Sequence, residues 1–486
     1  MEKFLEVSLL RNMGHSEYDA AWVARVADPR TGDPLFPSVL DVVRKSQGPD
    51  GGWACDLDYP SARVLATLAS VLAITSYDHL DARRDAERAV DFVGREIEKI
   101  DPEHVLTIAY ELVLVALLRE VNDRGFQVEG LIPGATRLQS EKLARLPSSV
   151  VYDPRLSTSF SLEFLGDELD REQLERVVLR TGSVGGSVGT TAYCAMRTGD
   201  VRMVEYLRKV VSEHGPGNIP YGWPVTVWPL MWVMYHAQLA GVPLPRHRER
   251  EALAYIDRVF GQDGLTWCED LEYQDSDDTS IALALLGDRA SERQWRALDK
   301  FETEQGFLGF LGERGPSVSA NAHVLTALQK GRHPEKQRMI ERAFGFLIKN
   351  RLDDGLWLDK WHASPLYPTS RAIIALVSIG AASEARTSIS WLLDTQRDNG
   401  GWGFYEDATL EESSYAVHAL VSAHRLSPSR GVARALERAC RFLQRPQVGQ
   451  GSDVHPKLWI TKVLYRPMAV VLSAIAAARA MSSEFA

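Results

Sequence analysis

Four short turns ending in tryptophan recur along this chain and constrain its fold more than any other feature. QGPDGGW ends at Trp53 and QRDNGGW at Trp402; looser copies, GQDGLTW and RLDDGLW, end at Trp267 and Trp357. The last three are tens of residues apart, the period of repeated helix-hairpin units. An Asp/Asn-Gly pair makes a tight turn with positive φ. The Trp behind it packs into the neighbouring hairpin, and the Gln bonds nearby backbone. A ring of helix pairs, an α/α barrel, needs such staples.

The segments between the turns have the matching period. SARVLATLASVLAITSY, VLTIAYELVLVALLREV, TSIALALLG, AHVLTALQK, TSRAIIALVSIG and SYAVHALVSAHRL carry apolar residues at i, i+3 and i+4 spacing. Gly, Pro, Asp and Asn clusters separate them, and few segments alternate as strands do. The reading is all-α. A chain of 486 residues exceeds one ordinary core and suits two domains. The repeats fall into one group near Trp53 and one from Trp267 onward. LRTGSVGGSVGTTAY and PGNIPYGWPVTVWP lie between them, which places a boundary near 220–230.

Composition narrows the class of function. A net charge of −10 argues against a general nucleic-acid binder. Four scattered cysteines, Cys55, Cys194, Cys268 and Cys440, form no C-x-x-C pair, which fits a reducing cytoplasm and no structural zinc. The N-terminal segment is charged throughout and lacks a signal-peptide core. No uncharged apolar run reaches the roughly 18 residues of a membrane span, so no stable membrane anchor is expected. Twelve tryptophans suit an aromatic-lined cavity as well as a core.

The most informative segment for chemistry is LEYQDSDDTSIALALL, which sets Asp275, Asp277 and Asp278 just before an apolar helix. Asp278 or Thr279 is the expected N-cap. The later positions are wrong for an EF-hand calcium loop. Crowding and burial disfavour ionisation of such carboxyls, while the helix N-terminus favours the anion. The compromise is one ionised Asp that accepts a hydrogen bond and another that keeps its proton. Delivering that proton to an alkene, a very weak base, requires a dry pocket and a pre-positioned acid.

With these residues in view, the chain resembles the class II diterpene cyclases of the copalyl diphosphate synthase type, most closely bacterial members with two barrel domains. DSDDTS resembles their D-x-D-D-T-[AS] motif. SEYDAAWVARV (16–26) resembles S-x-Y-D-T-A-W-V-A, with Ala20 for Thr. LFPSVLDVVRKSQGPDGGWACD resembles a further block, with Gly52 for Ser and Ala54 for Gly. EKLARLP (141–147), GPSVSANAHVLTAL, DKWHASPLYPTSRAIIAL, QRDNGGWGFYEDATLEESSYAVHAL and KLWITKVLYRP follow in the family's order.

The resemblance implies a βγ architecture: a γ-like inserted barrel over 31–225, and a β-like barrel over 1–30 plus 226–486 that carries the acidic motif. Asp277 would be the general acid, Asp275 and Asp278 would orient it, and Asn321 would lie close enough to hydrogen-bond it. Aromatic faces stabilise carbocations, and Trp361, Tyr367, Trp402, Phe404, Tyr405, Tyr415 and Trp459 are the candidates. His362 would orient neighbours or accept a proton. The diphosphate would lie at the domain interface with Mg²⁺, near Lys142 and Arg145. Asp407, Glu411 and Glu412 are the candidate metal ligands, and one of these glutamates lining the cavity is the alternative.

The implied substrate is a linear prenyl diphosphate: geranylgeranyl diphosphate giving a bicyclic labdane-type product, or farnesyl diphosphate giving a drimane-type one. The D-D-x-x-D motif of diphosphate-ionising synthases is absent; Asp353, Asp354 and Asp359 have the wrong spacing. The length leaves no room for a third helical domain. The product should therefore keep its diphosphate for a downstream class I synthase or a phosphatase. Rival readings are a squalene-hopene-type cyclase, a zinc prenyltransferase subunit built on Cys268, Asp270 and His323, and a non-catalytic repeat scaffold.

Overall fold

The computed structural model describes residues 1–101, 106–144, 148–268, 270–313, 315–445 and 455–486. Two closed rings of inner helices carry the fold. In the first ring, α1 (Glu17–Ala24), α2 (Pro60–Ile74), α3 (Tyr110–Asp123), the 3-10 segment Ser157–Leu165 and α4 (Val188–Thr198) touch in turn, and α4 returns to α1. In the second, α5 (Val227–Ala240), α6 (Ser276–Leu286), α7 (Val318–Lys330), α8 (Leu366–Ser378), α9 (Leu410–Leu426) and α10 (Met468–Ser482) do the same, with α10 closing on α5. Inner helices are apolar nearly all round because both sides are covered; α5 is buried from Val227 to Ala237. The outer helices bury one stripe. Arg430–Gln444 buries Val432, Ala435, Leu436, Ala439, Cys440 and Leu443, the spacing of a single helical face.

The tryptophan turns staple the rings by one repeated geometry. Trp53, Trp357 and Trp402 donate their indole N–H to Val43 O, Leu347 O and Leu392 O at 2.7, 2.8 and 2.7 Å. Their backbone N–H groups reach hydroxyls on the next inner helix, those of Thr67, Thr369 and Ser413. Gln47 and Gln396 each bridge the turn to the following outer helix, through Asp85 O and Ala435 O. Gly51 and Gly400 have positive φ and lie so close to that helix that a Cβ would come within 2.6 and 2.5 Å of Arg88 O and Arg438 O.

Two repeat assignments change. Trp267 is not a staple: its ring packs on Phe160 and Tyr221, 5.6 Å from each, where the two domains meet. A further copy lies at Gly182, whose Cβ would meet Arg202 O at 2.5 Å, with Val184 in the tryptophan's place and its N–H on Thr191 Oγ1. Without the tryptophan this copy is invisible to a search for the aromatic residue.

The N-terminal segment is divided between the two cores rather than joined to one. Phe4, Leu10 and Met13 pack in the second core, whereas Tyr18 to Val26 pack in the first, because α1 is a member of that ring. Ile219 is in the first core and Tyr221 in the second. α10 belongs to the stretch Met468–Phe485, which has a length and mean hydropathy (1.3) that would suit a membrane span; it lies against α5 and α9, and closing the ring accounts for its apolarity.

A hairpin, β3 (Trp459–Ile460) and β4 (Leu464–Tyr465), joins the domains; β1 (Glu302–Thr303) and β2 (Gly306–Phe307) form a second hairpin nearer the acidic motif. Successive strand residues point to opposite faces. Trp459 and Tyr465 accordingly enter the second core, and Ile460 and Leu464 the first. At the hairpin tip, Lys462 is buried and donates to Glu163 (2.5 Å), Thr190 Oγ1 (2.9 Å) and Ser187 Oγ (3.2 Å). Tyr18 also donates to Glu163, at 2.8 Å. Asp19 accepts from Ser16 Oγ and from Gly189 N–H (2.8 Å). Burial pushes its carboxyl up to about 7, against the pull of Lys462.

Folded Asp19 keeps its proton to about pH 7, while the unfolded chain releases it near 3.8. Unfolded protein therefore binds fewer protons in that window, and this group's contribution to stability falls as pH rises through it. Between pH 5 and 8 the wild type should lose roughly 2–3 kcal/mol that an Asp19→Asn variant retains. Urea unfolding of both proteins at the two pH values checks this; equal losses would contradict it.

Candidate active site

The acidic motif enters α6 from an extended segment. Asp275 bridges Leu265 on one side and Phe310 on the other, and Ser276 N–H bonds Gly309 O at 2.9 Å. Asp275, not Asp278 or Thr279, is the N-cap: its Oδ1 accepts Asp278 N–H at 2.6 Å. Asp275 and Asp278 are buried, while Asp277 keeps 19% of its side chain open.

Burial pushes the Asp275 carboxyl well up, opposed by the Asp278 N–H and reinforced by Asp277. Burial also raises Asp278, and the charges of Asp275 and Asp277 add to the effect. Both Oδ2 atoms are buried without a donor. Keeping a proton on one of these carboxyls avoids burying two adjacent negative charges.

Asp277 Oδ1 contacts Nδ1 of His323 on α7. A carboxylate only accepts, so the imidazole hydrogen is assigned to Nδ1. His323 Nε2 is buried without a partner, and the ring stands edge-on to Trp232 (5.7 Å) and near Tyr235 (5.9 Å). Asn321 is not the partner of the acid. Its Oδ1 accepts Phe307 N–H (2.9 Å), and its Nδ2 donates to Phe307 O and Ser317 O (2.8 Å each), which fixes β2 to α7. Two residues on a helix are about 200° apart, so Asn321 and His323 face opposite ways.

Of the expected aromatic residues, Tyr367, Tyr415, Trp459 and His362 meet. Tyr367 lies 5.0 Å from Tyr415, 4.9 Å from Trp459 and 5.0 Å from the stacked His362. The cluster continues through Trp228, 5.4 Å from Trp459, to Trp232 and so to His323. Trp228, Trp232 and Tyr235 recur at i, i+4 and i+7 on α5, a stripe readable in VWPLMWVMYHAQLA. Trp361 is at the rim, 5.6 Å from Phe310. Trp402 is a staple, Phe404 is half exposed, and Tyr405 gives its hydroxyl to Ala363 O. These last three do not join the cluster, because the turn geometry of their repeat claims them.

Arg371 on α8 closes the far end. Its guanidinium lies 5.3–5.4 Å over the rings of Tyr235, Tyr367 and Tyr415 and bonds His418 Nδ1, while Nε and Nη1 have no partner. Burial, followed by Arg371, pushes His418 well down. An unneutralised positive charge there repels a carbocation, so cation density belongs nearer Trp232 and Trp459.

The expected anion and metal residues are not gathered. Asp407 is exposed, Glu412 is held by Phe404 N–H and the Thr409 hydroxyl as part of the α9 cap, and Glu411 is buried in the aromatic cluster. Among the described residues no group of three His, Cys, Asp or Glu side chains could hold a metal ion. Asp407, Glu411 and Glu412 do not converge on one site; Glu411 lines the interior instead. Lys142 is half-buried in the last turn of Ile132–Leu143, and Arg145 lies outside the described residues. A cavity of about 190 Å³ between the domains is lined by Arg176 and Arg180 on one side and Asp270, Glu272 and Tyr273 on the other. Tyr273 and Phe310 (5.8 Å apart) lead from it to Trp361 at the rim.

The chain is similar to known terpene cyclases. The family described as Squalene-hopene cyclase C-terminal domain matches residues 313–457. A type B diterpene cyclase from Mycobacterium tuberculosis is 27% identical over 99% of this chain and 98% of its own length. An ent-copalyl diphosphate synthase from a Streptomyces species is 30% identical over 92% of this chain and 88% of its own. The solved structure of an ent-copalyl diphosphate synthase from Streptomyces platensis superposes with a TM-score of 0.73, at 26% identity over 99% of this chain and 98% of that one.

Asn321 and His323 should separate in the laboratory. Asn321→Ala orphans buried backbone groups and should lower stability by about 1–3 kcal/mol. His323→Phe should stay within about 1 kcal/mol of wild type yet lose most turnover. Denaturant melts and initial rates check both; full activity in folded His323→Phe would contradict the assignment.

Proposed function

This chain belongs to the class II diterpene cyclases, and from that premise we propose that Asp277 protonates the terminal alkene of geranylgeranyl diphosphate to start closure of a bicyclic labdane-type diphosphate. The observation that carries the reading is the Asp277–His323 contact beside two buried carboxyls, Asp275 and Asp278, opening on a continuous aromatic cluster. His323 donates to one oxygen of Asp277 and so stabilises the anion left when the proton departs. A proton kept on Asp275 or Asp278 spares the motif three adjacent negative charges. Buried walls keep water from competing for the proton.

The C=C π pair of the substrate forms the new C–H bond, and the resulting cation is attacked by the next alkene. Trp228, Trp232 and Trp459 offer ring faces to that charge, and Arg371 disfavours it beside Tyr235, Tyr367 and Tyr415. The diphosphate end is assigned to the interdomain cavity, where Arg176 and Arg180 supply cationic donors. The chain length follows the diterpene names of the relatives. The product keeps its diphosphate, so the next enzyme is one that ionises or hydrolyses it.

The test is incubation of the purified protein with geranylgeranyl and, separately, farnesyl diphosphate, reading cyclic products and released diphosphate. A bicyclic C20 diphosphate with no diphosphate release is expected. Asp277→Asn should cut turnover by about 10³-fold or more with an unchanged melting curve. Cyclisation by that variant at the wild-type rate, or release of diphosphate by the wild type, would overturn the reading.

A further inference from the structure

A cascade begun by adding a proton must end by losing one. Resting on the reading above, we propose that Glu411 is the base that takes this final proton, through its Oε2. Glu411 lies on α9 and is fully buried. Three donors converge on its Oε1: Trp459 Nε1–H at 2.9 Å, the Tyr415 hydroxyl at 2.9 Å and His362 Nε2 at 3.4 Å. The indole N–H donates only. Burial, then the charge of Glu411, keeps the Tyr415 phenol protonated. Ser364 N–H (3.1 Å) and Ser364 O (3.0 Å) both face His362 Nδ1, so the hydrogen on Nε2 is assigned from its contact with Glu411. The three donors mark Oε1 as an acceptor oxygen.

The second oxygen is the informative one. Oε2 is buried and has no donor. A buried carboxylate oxygen left unsatisfied is costly, and the same carboxyl is held at Oε1 by Trp459, a ring offered to the cation. Nε2 of His236 and of His323 also lacks a partner, but His323 is committed to Asp277 through Nδ1. His418 holds Arg371 on one nitrogen and Ala474 O on the other. His236 bonds Ser473, and the charge of Arg371 lowers it further after burial and His418. Glu412 is committed to the α9 cap. The donors on Oε1 fix the carboxylate plane and lessen its tendency to add to the cation as an ester.

The step balances. A C–H bond on the carbon next to the cationic centre breaks, and its electron pair becomes the new C=C. The proton bonds Glu411 Oε2, giving a neutral carboxylic acid. One proton enters at Asp277 and one leaves at Glu411; after product release both groups exchange with water.

Glu411→Gln keeps the shape and an acceptor for the three donors but removes the base. Substrate consumption should stay within about tenfold of wild type, because protonation at Asp277 is intact. The wild-type olefin should fall at least tenfold as a share of product, replaced by water-captured alcohol or rearranged olefins, as read by mass spectrometry and NMR of the dephosphorylated products. Glu411→Asp keeps the charge one methylene further back and should give a mixture containing the wild-type olefin; it carries the test if the Gln variant does not fold. Wild-type product in wild-type proportion from the folded variants would overturn the proposal. So would loss of all substrate consumption by folded Glu411→Gln, or a hydroxylated wild-type product. Failure of the wild type to cyclise at all would instead sink the underlying reading.

Discussion

The cost of burying charge in an apolar helical ring governs the rest of this structure. Each buried ionisable group is resolved differently. Burial pushes Asp275 and Asp278 toward the neutral acid; Asp19 holds its proton to about pH 7. Glu163 is ringed by Lys462, Tyr18 and Thr190, and Glu411 is pinned by three donors on one oxygen. Glu411, His323 and Arg371 each keep a buried polar atom without a partner beside the aromatic cluster.

The same economy explains how the domains are joined. Two-residue strands alternate their side chains between two cores, so one short hairpin places Trp459 in the catalytic ring and Ile460 in its neighbour. Trp459 then donates to Glu411, while Lys462, three residues on, closes the Glu163 node. The interdomain contact and one wall of the site are thus one element. A loosened Lys462 would be felt at the aromatic wall without touching it.

Much of this was legible in the chain. The helical period, the tryptophan turns, the two-group layout and the three aspartates at a helix start are local patterns. What was not legible depends on rotation about a helix and on contacts between distant segments. Asn321 and His323 are two residues apart, and only the seating of α7 decides which faces Asp277. Trp402, Phe404 and Tyr405 read as one aromatic run with Tyr415, yet the turn divides them among a staple, the surface and the rim. The α5 stripe of Trp228, Trp232 and Tyr235 is readable in the sequence, but no motif marks its helix as part of the site. Glu411 and Glu412 are adjacent and point to different fates, one into the interior and one into a cap.

The central claim is that a side chain at one end of the aromatic interior delivers a proton to the terminal alkene. Turnover in deuterated water with the enzyme pre-exchanged tests it most directly. The account predicts a single deuterium in the cyclic product, on the ring carbon beside the gem-dimethyl centre, with the diphosphate retained. A product without deuterium at that carbon, or one formed with loss of diphosphate, would contradict it.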